Sequence, residues 1–468
     1  MPGPGQAVPL VRQTDFKNSD GQTKLRAVDI VHSLTSLLAR GGSSEDEYTM
    51  QAVNFAPGDS QAHPDFLAAI MRASETYSIV ASQDIVDVRG LKLWAKGLPV
   101  SAALQQRLLE RKLLNPIEAC LMAEDGVTPF YLLEMLKKFL ESDHSMAHAL
   151  RPWGTVLEKQ LKQIPLHSVA QLLLTTVLAT RPEAIEHAVQ AMALAGGIAQ
   201  SQSLPVDVRL AMLGGLLHDI GEAYIQPQYL DGDEPLDLLG HKHMMAHPRI
   251  AQLLLEATTD YPTTLCRAVG EHHERANGSG YPARLQGESI SPLGMLLAAV
   301  ETTMGVSPSP TAPLFRASFA LRVVPGEFPS RYSSAVFNMA RDAKEKIPTN
   351  IRVPADALQH INATLEKARL TTQALQSPTG SKERAGIVLL AEDRLARLRM
   401  AWNALGVWGL APDQLTPQDH FEMDLAWAEL RLRLFELQRE CMLLAESLSE
   451  PEKTELTPIW ADLKVQHA

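Results

Sequence analysis

Apolar residues recur at helical spacing along most of the chain, so the pattern of hydrophobic and polar positions predicts a mainly α-helical protein. The clearest patterns lie near the C-terminus, over residues 388–405 and 423–448, where apolar steps of four and three alternate. This alternation is the spacing of a heptad seam. Pro412 and Pro417 lie between the two seams and can reverse the chain. We therefore predict an antiparallel, coiled-coil-like helical hairpin over residues 386–449.

The sequence leaves two interpretations of this hairpin open. In the first, the hairpin folds onto another part of its own chain. In the second, it forms a homodimer or binds a protein partner, because the apolar seam is longer than one hairpin needs.

One segment near the N-terminus has the periodicity of strands. Residues 84–94 alternate apolar and polar positions around Arg89 and Gly90, which predicts a small β-hairpin. Helices are expected after it, beginning with residues 101–113. Before it, residues 1–26 are polar and rich in Gly and Pro, and we expect a flexible tail followed by a short helix at 25–40.

A length of 468 residues suggests two to four domains. The pattern divides the chain into a region of tail and short helices, a β-hairpin module with helices, a middle helical bundle, and a C-terminal helical region that contains the hairpin. The predicted boundaries are 1–75, 76–148, 149–325 and 326–468.

Composition narrows the classes of function. The chain has 43 Lys and Arg against 54 Asp and Glu, a formal charge of −11, which argues against binding a nucleic-acid polymer over a general surface. Cys120, Cys266 and Cys441 lie far apart and give neither a disulfide framework nor a zinc motif. The chain begins without a signal-peptide pattern, and no apolar run approaches the ~20 residues of a membrane span. We expect a cytoplasmic protein with no membrane association.

Histidines and carboxylates concentrate in the middle of the chain. Seven of the fifteen histidines lie between Arg181 and Glu301. Four predicted helices there each carry candidate ligands, and an apolar helix at 291–304 adds Glu301. The candidates on the four helices are Glu183 and His187; His218 and Asp219; His247, in one helix with His241 and His243; and His272 and His273.

These groups point to metal chemistry. Buried imidazoles and carboxylates are costly unless they are paired or bind a metal, and the helices that carry them are too apolar to be exposed. Imidazole and carboxylate ligands suit iron, manganese or zinc. Two such ions polarise phosphoryl oxygens and supply hydroxide near neutral pH, because the pKa of bound water falls to about 7.

The same residues resemble a known family in order and spacing. His187, the His218-Asp219 pair, His247, the His272-His273 pair and Gly280-Tyr281-Pro282 are similar to the HD-GYP subgroup of the HD metal-dependent phosphohydrolases. The resemblance covers residues 170–309.

The resemblance implies an HD-type helical bundle that hydrolyses cyclic di-GMP with a metal-bound hydroxide and two or three divalent ions. Iron or manganese is favoured and zinc is possible. It further implies that Asp219 bridges two metals and is the catalytic carboxylate. The implied terminal ligands are His187, His218, His247, His272 and His273, with Glu301 at the usual aspartate position and Glu183 at the position of an extra ligand. Gly280, Tyr281 and Pro282 would contact the cyclic dinucleotide, with Tyr281 stacked on a guanine.

The sequence departs from the family pattern in three places that bear on catalysis. Glu222 stands where a lysine is usual, and one charge at about 4 Å is worth roughly 4 kcal/mol at an effective dielectric near 20. Glu301 replaces aspartate. Residues 306–313 replace a basic segment, which leaves Arg316 as the nearest basic candidate for the substrate.

Several residues also have structural interpretations. Glu183 follows Thr180 by three residues and is explained equally by a capping box. His241 and His243 are expected at the surface, and Tyr281-Pro282 is also compatible with loop packing.

At the level of function, two alternatives to cyclic di-GMP hydrolysis remain. One is a degenerate module that binds cyclic di-GMP or a protein without turnover. The other is an HD phosphohydrolase with another nucleotide substrate.

Overall fold

The protein is mainly α-helical, as the sequence predicts. A computed structural model describes residues 63–202, 206–230, 236–306, 311–351, 355–376, 380–406 and 415–463. The tail and helix predicted for residues 1–40 lie outside these ranges, as does Pro412. Across these ranges we find no helix with the length and apolar character that a membrane span requires.

The first part of the described chain combines helices with four short strands. The predicted hairpin over 84–94 is present as the antiparallel pair β2–β3, and a second pair, β1–β4, was not expected. The elements are α1 (Pro64–Ala73), β1 (Ile79–Ala81), β2 (Ile85–Val86), β3 (Lys92–Trp94), α2 (Ala102–Leu109), α3 (Ile117–Cys120), β4 (Leu121–Ala123), α4 (Pro129–Glu141), α5 (Ser145–Leu150) and α6 (Gly154–Leu161).

Local hydrogen bonds explain where the hairpin turns. Asp87 Oδ1 accepts hydrogen bonds from the backbone N–H groups of Arg89 and Leu91, both at 2.9 Å. Gly90 has a φ of +80°, which a residue without a Cβ adopts without strain. The Asp-x-x-Gly stretch therefore fixes the turn that the alternation predicts.

The middle of the chain is a bundle whose helices are apolar on most faces. Its elements are α7 (Ser168–Thr180), α8 (Pro182–Gln202), α9 (Val208–Leu217), α10 (Pro227–Leu230), α11 (Leu238–Met244), α12 (His247–Thr258), α13 (Thr263–Gly270), α14 (Pro292–Val306), α15 (Pro313–Val323) and α16 (Ser330–Asp342). Three-residue or five-residue 3₁₀ turns lie at Arg151–Trp153, Ile220–Tyr224 and Gly287–Ser289. Apolar side chains of this bundle and of the N-terminal elements share one hydrophobic core.

Close packing of α8 on α9 brings their ligand-bearing ends together. A Cβ at Gly215 on α9 would lie 2.7 Å from the carbonyl oxygen of Ala191 on α8, so only glycine allows this approach. Asp207 caps α9 by accepting from the N–H groups of Arg209 and Leu210. The cap fixes where α9 begins, and the glycine contact sets how closely its C-terminal end, next to His218, packs on α8.

One helix boundary differs from the prediction. We expected His241, His243 and His247 on a single helix, but α11 ends at Met244 and α12 begins at His247. Pro248 is the reason, because proline removes a backbone donor and is tolerated only in the first turn of a helix. His247 therefore lies at a helix start.

The C-terminal region is a second helical assembly. Its helices are α17 (Ala355–Ala374), α18 (Lys382–Asn403), α19 (Pro417–Ala445) and α20 (Glu450–Asp462). The predicted hairpin is present as α18 and α19, which pack on each other along the predicted seams. Apolar residues of α15, α17 and α20 belong to the same hydrophobic core, so helices of the same chain pack against the long seam. Self-association through the hairpin stays a prediction.

Buried charge joins the hairpin to the middle of the chain. Arg433 on α19 and Glu327, which follows α15, are only 5% and 2% exposed, and Arg433 Nε lies 3.1 Å from Glu327 Oε1. The Glu327 carboxylate accepts three hydrogen bonds from this guanidinium. Since an unpaired buried charge is costly, this pair fixes how the hairpin lies on the bundle.

We expect Arg433→Ala to destabilise the protein by about 3–5 kcal/mol, because it leaves the Glu327 carboxylate buried without its partner. The matched control is Arg341→Ala, since Arg341 and its partner Asp342 are 65% and 55% exposed. An exposed pair contributes at most about 1 kcal/mol. Urea denaturation measures both changes, and equal losses of stability would contradict the role of burial.

Candidate metal centre

Seven of the predicted ligands lie within two groups that share one carboxylate. In the first group, His187, His218, Asp219 and Glu301 each offer a ligand atom within 4.8 Å of the others. In the second group, Asp219, His247, His272 and His273 do the same.

The two oxygens of Asp219 face different groups. Oδ2 lies 3.1 Å from His218 Nε2 and 3.5 Å from His187 Nε2. Oδ1 lies 3.4 Å from the Nε2 atoms of both His247 and His272. This is the arrangement of a carboxylate that could bridge two ions.

Backbone carbonyls orient three of the imidazole rings. The Nδ1 atoms of His218, His247 and His272 lie 2.9, 2.6 and 2.6 Å from the carbonyl oxygens of the residues three positions earlier. A carbonyl only accepts, so each Nδ1 carries a proton and each Nε2 is the atom that a ring, once deprotonated there, presents to the centre. The rings are therefore set in the tautomer that a metal ligand needs.

The ring nitrogens in this arrangement could hold a cation. His247 Nε2 and His272 Nε2 are only 3.0 Å apart, so two neutral rings would direct lone pairs at each other. His187 Nε2 is buried and has no hydrogen-bond partner among the described residues. A divalent ion in each group satisfies these atoms, and the donor set of imidazole and carboxylate fits iron, manganese or zinc.

The electrostatics of the site agree with this arrangement. Burial lowers the pKa of His272 and, together with the neighbouring imidazoles, lowers that of His273 well below its usual range. Burial opposes charge on His218 as well, but the carboxylates of Asp219 and Glu301 outweigh it and raise the His218 pKa. Burial also opposes charge on His247, but the hydrogen bond and charge of Asp219 outweigh it and raise the His247 pKa.

Two predicted site residues are not brought to the centre. Glu183 is exposed on α8 and belongs to neither group. The capping box does not account for it either, because Thr180 ends α7 and its hydroxyl donates to the carbonyls of Thr176 and Val177. Arg316 was expected beside the substrate, but it pairs with Asp424 of α19 at 3.1 Å and lies over the ring of Phe421.

The Gly280-Tyr281-Pro282 segment lies next to the second group. The ring of Tyr281 stacks on His273 with centroids 4.4 Å apart, so loop packing accounts for one face of the tyrosine. A Cβ at Gly280 would collide with the backbone of Arg275 and His273, which makes glycine necessary. Glu274 anchors the segment by accepting from the N–H groups of Ala283 and Leu285.

Glu222, which stands where a lysine is usual, has a charged partner that the sequence did not reveal. Arg181 Nη2 lies 2.9 Å from Glu222 Oε2, and the two side chains are 15% and 16% exposed. The arginine offsets the negative charge beside the centre. Burial and the charge of Asp219 raise the pKa of Glu222.

Beyond His273 and Tyr281 a cleft separates the loop from the C-terminal hairpin. Side chains from the loop and from α18 and α19 line it, among them Arg284, Arg394 and Glu440. His243 is buried against Tyr229, so the expectation that it lies at the surface is wrong, whereas His241 is half-buried and lines this cleft. No local sequence signal marks the hairpin residues as part of this cleft. Arg275 and Arg284 bracket the loop, so the sequence could have suggested them as site residues.

Comparison with known proteins addresses the middle of the chain. Residues 172–320 match the family model described as an HD domain. This part of the chain is thus an HD domain by its match, and its motifs are consistent with the HD-GYP type. The match runs from α7 to α15 and includes both groups of candidate ligands.

Curated relatives of the HD domain are named as cyclic dinucleotide phosphodiesterases. A 3'3'-cGAMP-specific phosphodiesterase of Vibrio cholerae serotype O1 is 27% identical over 222 residues, 47% of this chain and 48% of that protein. A cyclic di-GMP phosphodiesterase of the same organism is 35% identical over 103 residues, 21% of each chain. A cyclic di-GMP phosphodiesterase of Pseudomonas aeruginosa is 25% identical over 199 residues, 42% of this chain and 45% of that one. The chain thus spans about half, or less, of these relatives, and no solved structure matches it.

We expect two divalent ions per chain when the protein is purified from manganese-supplemented or iron-supplemented medium. Asp219→Ala should lose both ions, because both groups share this carboxylate. Glu183→Ala should keep both, because Glu183 lies outside the two groups. Elemental analysis of the purified variants measures the metal content per chain. Loss of an ion from Glu183→Ala would show that Glu183 is a ligand.

His241 predicts a pH dependence of stability. Burial, with a smaller contribution from Arg439, lowers the pKa of His241 to about 4. The unfolded chain then binds the extra proton between pH ~4 and ~6.5, so stability contributed by neutral His241 is lost as pH falls through this window. We expect a loss of about 2 kcal/mol between pH 7 and pH 5 that is missing in His241→Asn. Urea denaturation at the two pH values measures it, and parallel losses in both proteins would contradict it.

Proposed function

We propose that this protein hydrolyses a phosphodiester bond of a cyclic dinucleotide in a metal-dependent reaction, with cyclic di-GMP as the favoured substrate. The observation that carries the proposal is the position of Asp219, whose two oxygens face two separate groups of ligands. The names of the relatives support the substrate class. Because two of the relatives are named 3'3'-cGAMP-specific, 3'3'-cGAMP is the second candidate substrate.

In this proposal each ligand group holds one ion. His187, His218 and Glu301 would hold the first, and His247, His272 and His273 the second, with Asp219 bridging. When bound, two such ions supply Lewis acidity to the phosphoryl oxygens and lower the pKa of coordinated water to about 7.

The chain's own contribution is to fix the ligands before the substrate arrives. The carbonyl oxygens at Gly215, Met244 and Val269 hold three rings, and the Tyr281 ring holds His273 from the side of the cleft. Such preorganisation matters because groups that are already aligned need no reorganisation during the reaction. Gly280, Tyr281 and Pro282 are proposed to contact the substrate from the same side.

The ion pair of Glu222 with Arg181 bears on whether the site turns over its ligand. A lone carboxylate near the centre would repel an anionic phosphodiester, but the pair carries little net charge. The pair thus removes the repulsion by Glu222 that the sequence raised against hydrolysis, which we favour over a degenerate module that binds the dinucleotide or a protein partner without turnover. Neither a homodimer nor a protein partner is needed for the reaction as proposed.

Incubation of manganese-loaded or iron-loaded protein with cyclic di-GMP should give a linear product, resolved by liquid chromatography. We expect Asp219→Ala to reduce kcat/KM by about a thousandfold, since several kcal/mol of charge stabilisation is lost with the ions. Glu183→Ala is the control and should keep the activity of the unmodified protein.

The same assay with 3'3'-cGAMP and cyclic di-AMP ranks the substrates. Tight binding without product would overturn the hydrolytic proposal in favour of the non-catalytic module. Product from metal-depleted protein would contradict the role of the ions.

A further inference from the structure

Three buried polar atoms in the cleft have no hydrogen-bond partner among the described residues. They are Asn277 Nδ2, Arg394 Nε and Glu440 Oε1. Buried polar groups are nearly always satisfied, so three unsatisfied atoms in one cleft call for a ligand or solvent between them. All three residues line this cleft together with His273 and Tyr281, which places it directly beside the second ligand group.

Other contacts hold these three side chains in position. Arg394 Nη1 donates to the carbonyl oxygen of Asn277 at 2.8 Å, which ties α18 to the loop. The Oδ1 atom of Asn277 accepts from the N–H and hydroxyl of Ser279, so the amide nitrogen is the free end. Arg284 Nε lies 3.1 Å from Glu440 Oε1 as an ion pair without hydrogen-bond geometry. The cleft therefore offers two fixed donors and one fixed carboxylate acceptor.

Each of the five described arginines that line the cleft has a carboxylate within 4 Å, which disfavours a phosphate as the group bound here. The guanidinium groups of Arg433, Arg284 and Arg397 face Glu327, Glu440 and Asp393 at 3.1, 3.1 and 2.9 Å. Glu436 also lies within 4 Å of Arg275, at 3.8 Å. Carboxylates so placed offset the guanidinium charges that an anion would need, whereas a neutral base with donors and acceptors on its edges is complementary to the paired groups.

A guanine base matches this set of groups. Guanine presents the acceptors O6 and N7, which arginine and amide N–H groups recognise. It also presents N1–H and a 2-amino group, which are donors to a carboxylate. Adenine has no N1–H and no 2-amino group, so it cannot satisfy Glu440 in the same way.

We propose that this cleft binds a guanine base of the cyclic dinucleotide, with Glu440 accepting from N1–H and the 2-amino group and with Arg394 and Asn277 donating to O6 and N7. This rests on the proposed function, and it assigns base specificity to the C-terminal hairpin, which lies outside the HD domain. Glu440 and Arg394 are thus specificity-determining residues.

The test compares GMP with AMP as probes, since they share ribose and phosphate and are not cyclic phosphodiesters. Titration calorimetry on manganese-loaded protein should show a preference for GMP. We expect Glu440→Gln to weaken GMP binding by about tenfold or more and AMP binding by less than about twofold, because the new amide directs a donor at a donor. The ratio of kcat/KM for cyclic di-GMP over cyclic di-AMP should fall by a similar factor.

The matched control is Glu436→Gln, which makes the same charge change one turn earlier on α19. Glu436 Oε atoms face Arg275 and Arg433 and are not among the unsatisfied atoms, so its variant should keep the preference for guanine. Arg394→Lys provides a second test if Glu440→Gln fails to fold, because lysine keeps the charge but loses the planar pair of donors. We expect it also to reduce the preference for GMP.

The outcomes separate this inference from the proposed function. Equal weakening of GMP and AMP, or an equal effect of Glu436→Gln, would overturn the guanine site. Hydrolysis of cyclic di-GMP by wild-type protein with an unchanged base preference in Glu440→Gln and Arg394→Lys would leave the function standing and remove the inference. Selective binding of GMP without hydrolysis of any cyclic dinucleotide would support the guanine site and overturn the proposed function.

Discussion

The arrangement of the whole bundle depends on the carboxylate of Asp219 lying between two groups of imidazoles. A carboxylate that is largely withdrawn from water is costly, and protonated rings or a cation between its two oxygens and the Nε2 atoms would offset that cost. Burial raises the pKa of Asp219, but the charge of His218 and the hydrogen bonds of the rings outweigh burial and hold it well below its usual range. Helix ends, glycine contacts and backbone carbonyls all serve to keep these rings in place.

The glycines near the centre show how packing sets the geometry. Gly215 allows α8 and α9 to approach, which brings His187 toward His218. A Cβ at Gly221 would collide with the carbonyl oxygen of His247, so this glycine lets α12 begin against the turn that follows Asp219. The distances between ligand atoms therefore follow from backbone approach that larger residues would prevent.

The C-terminal hairpin extends the site beyond the HD domain. Its apolar seams form a second hydrophobic core with α15, α17 and α20, while its polar face turns toward the loop of Tyr281. The buried pair of Arg433 and Glu327 fixes this orientation, because a shifted hairpin would leave two charges without partners. An element that heptad spacing marks only as a coiled-coil-like hairpin thus forms one wall of the cleft.

Sequence alone determined the helical class, the strand pair at 84–94 and the hairpin seams, because each of these follows from periodicity. It also pointed to the candidate ligands from His187 to Glu301, through residue types that are costly to bury and through the family resemblance, and the structure brings seven of them together. The prediction of one helix through His241 and His247 missed the break that Pro248 imposes. Glu183 was assigned as a metal ligand, and Arg316 as a substrate contact, only from their positions along the chain. Only the tertiary structure decided which oxygen of Asp219 faces which ring, that Arg181 pairs with Glu222, and that Arg394 and Glu440 reach the loop. The contacts of Arg181, Arg394 and Glu440 join residues 41 to more than 150 positions apart. Local patterns carry no information about such pairs, because their energies arise only when separate helices pack.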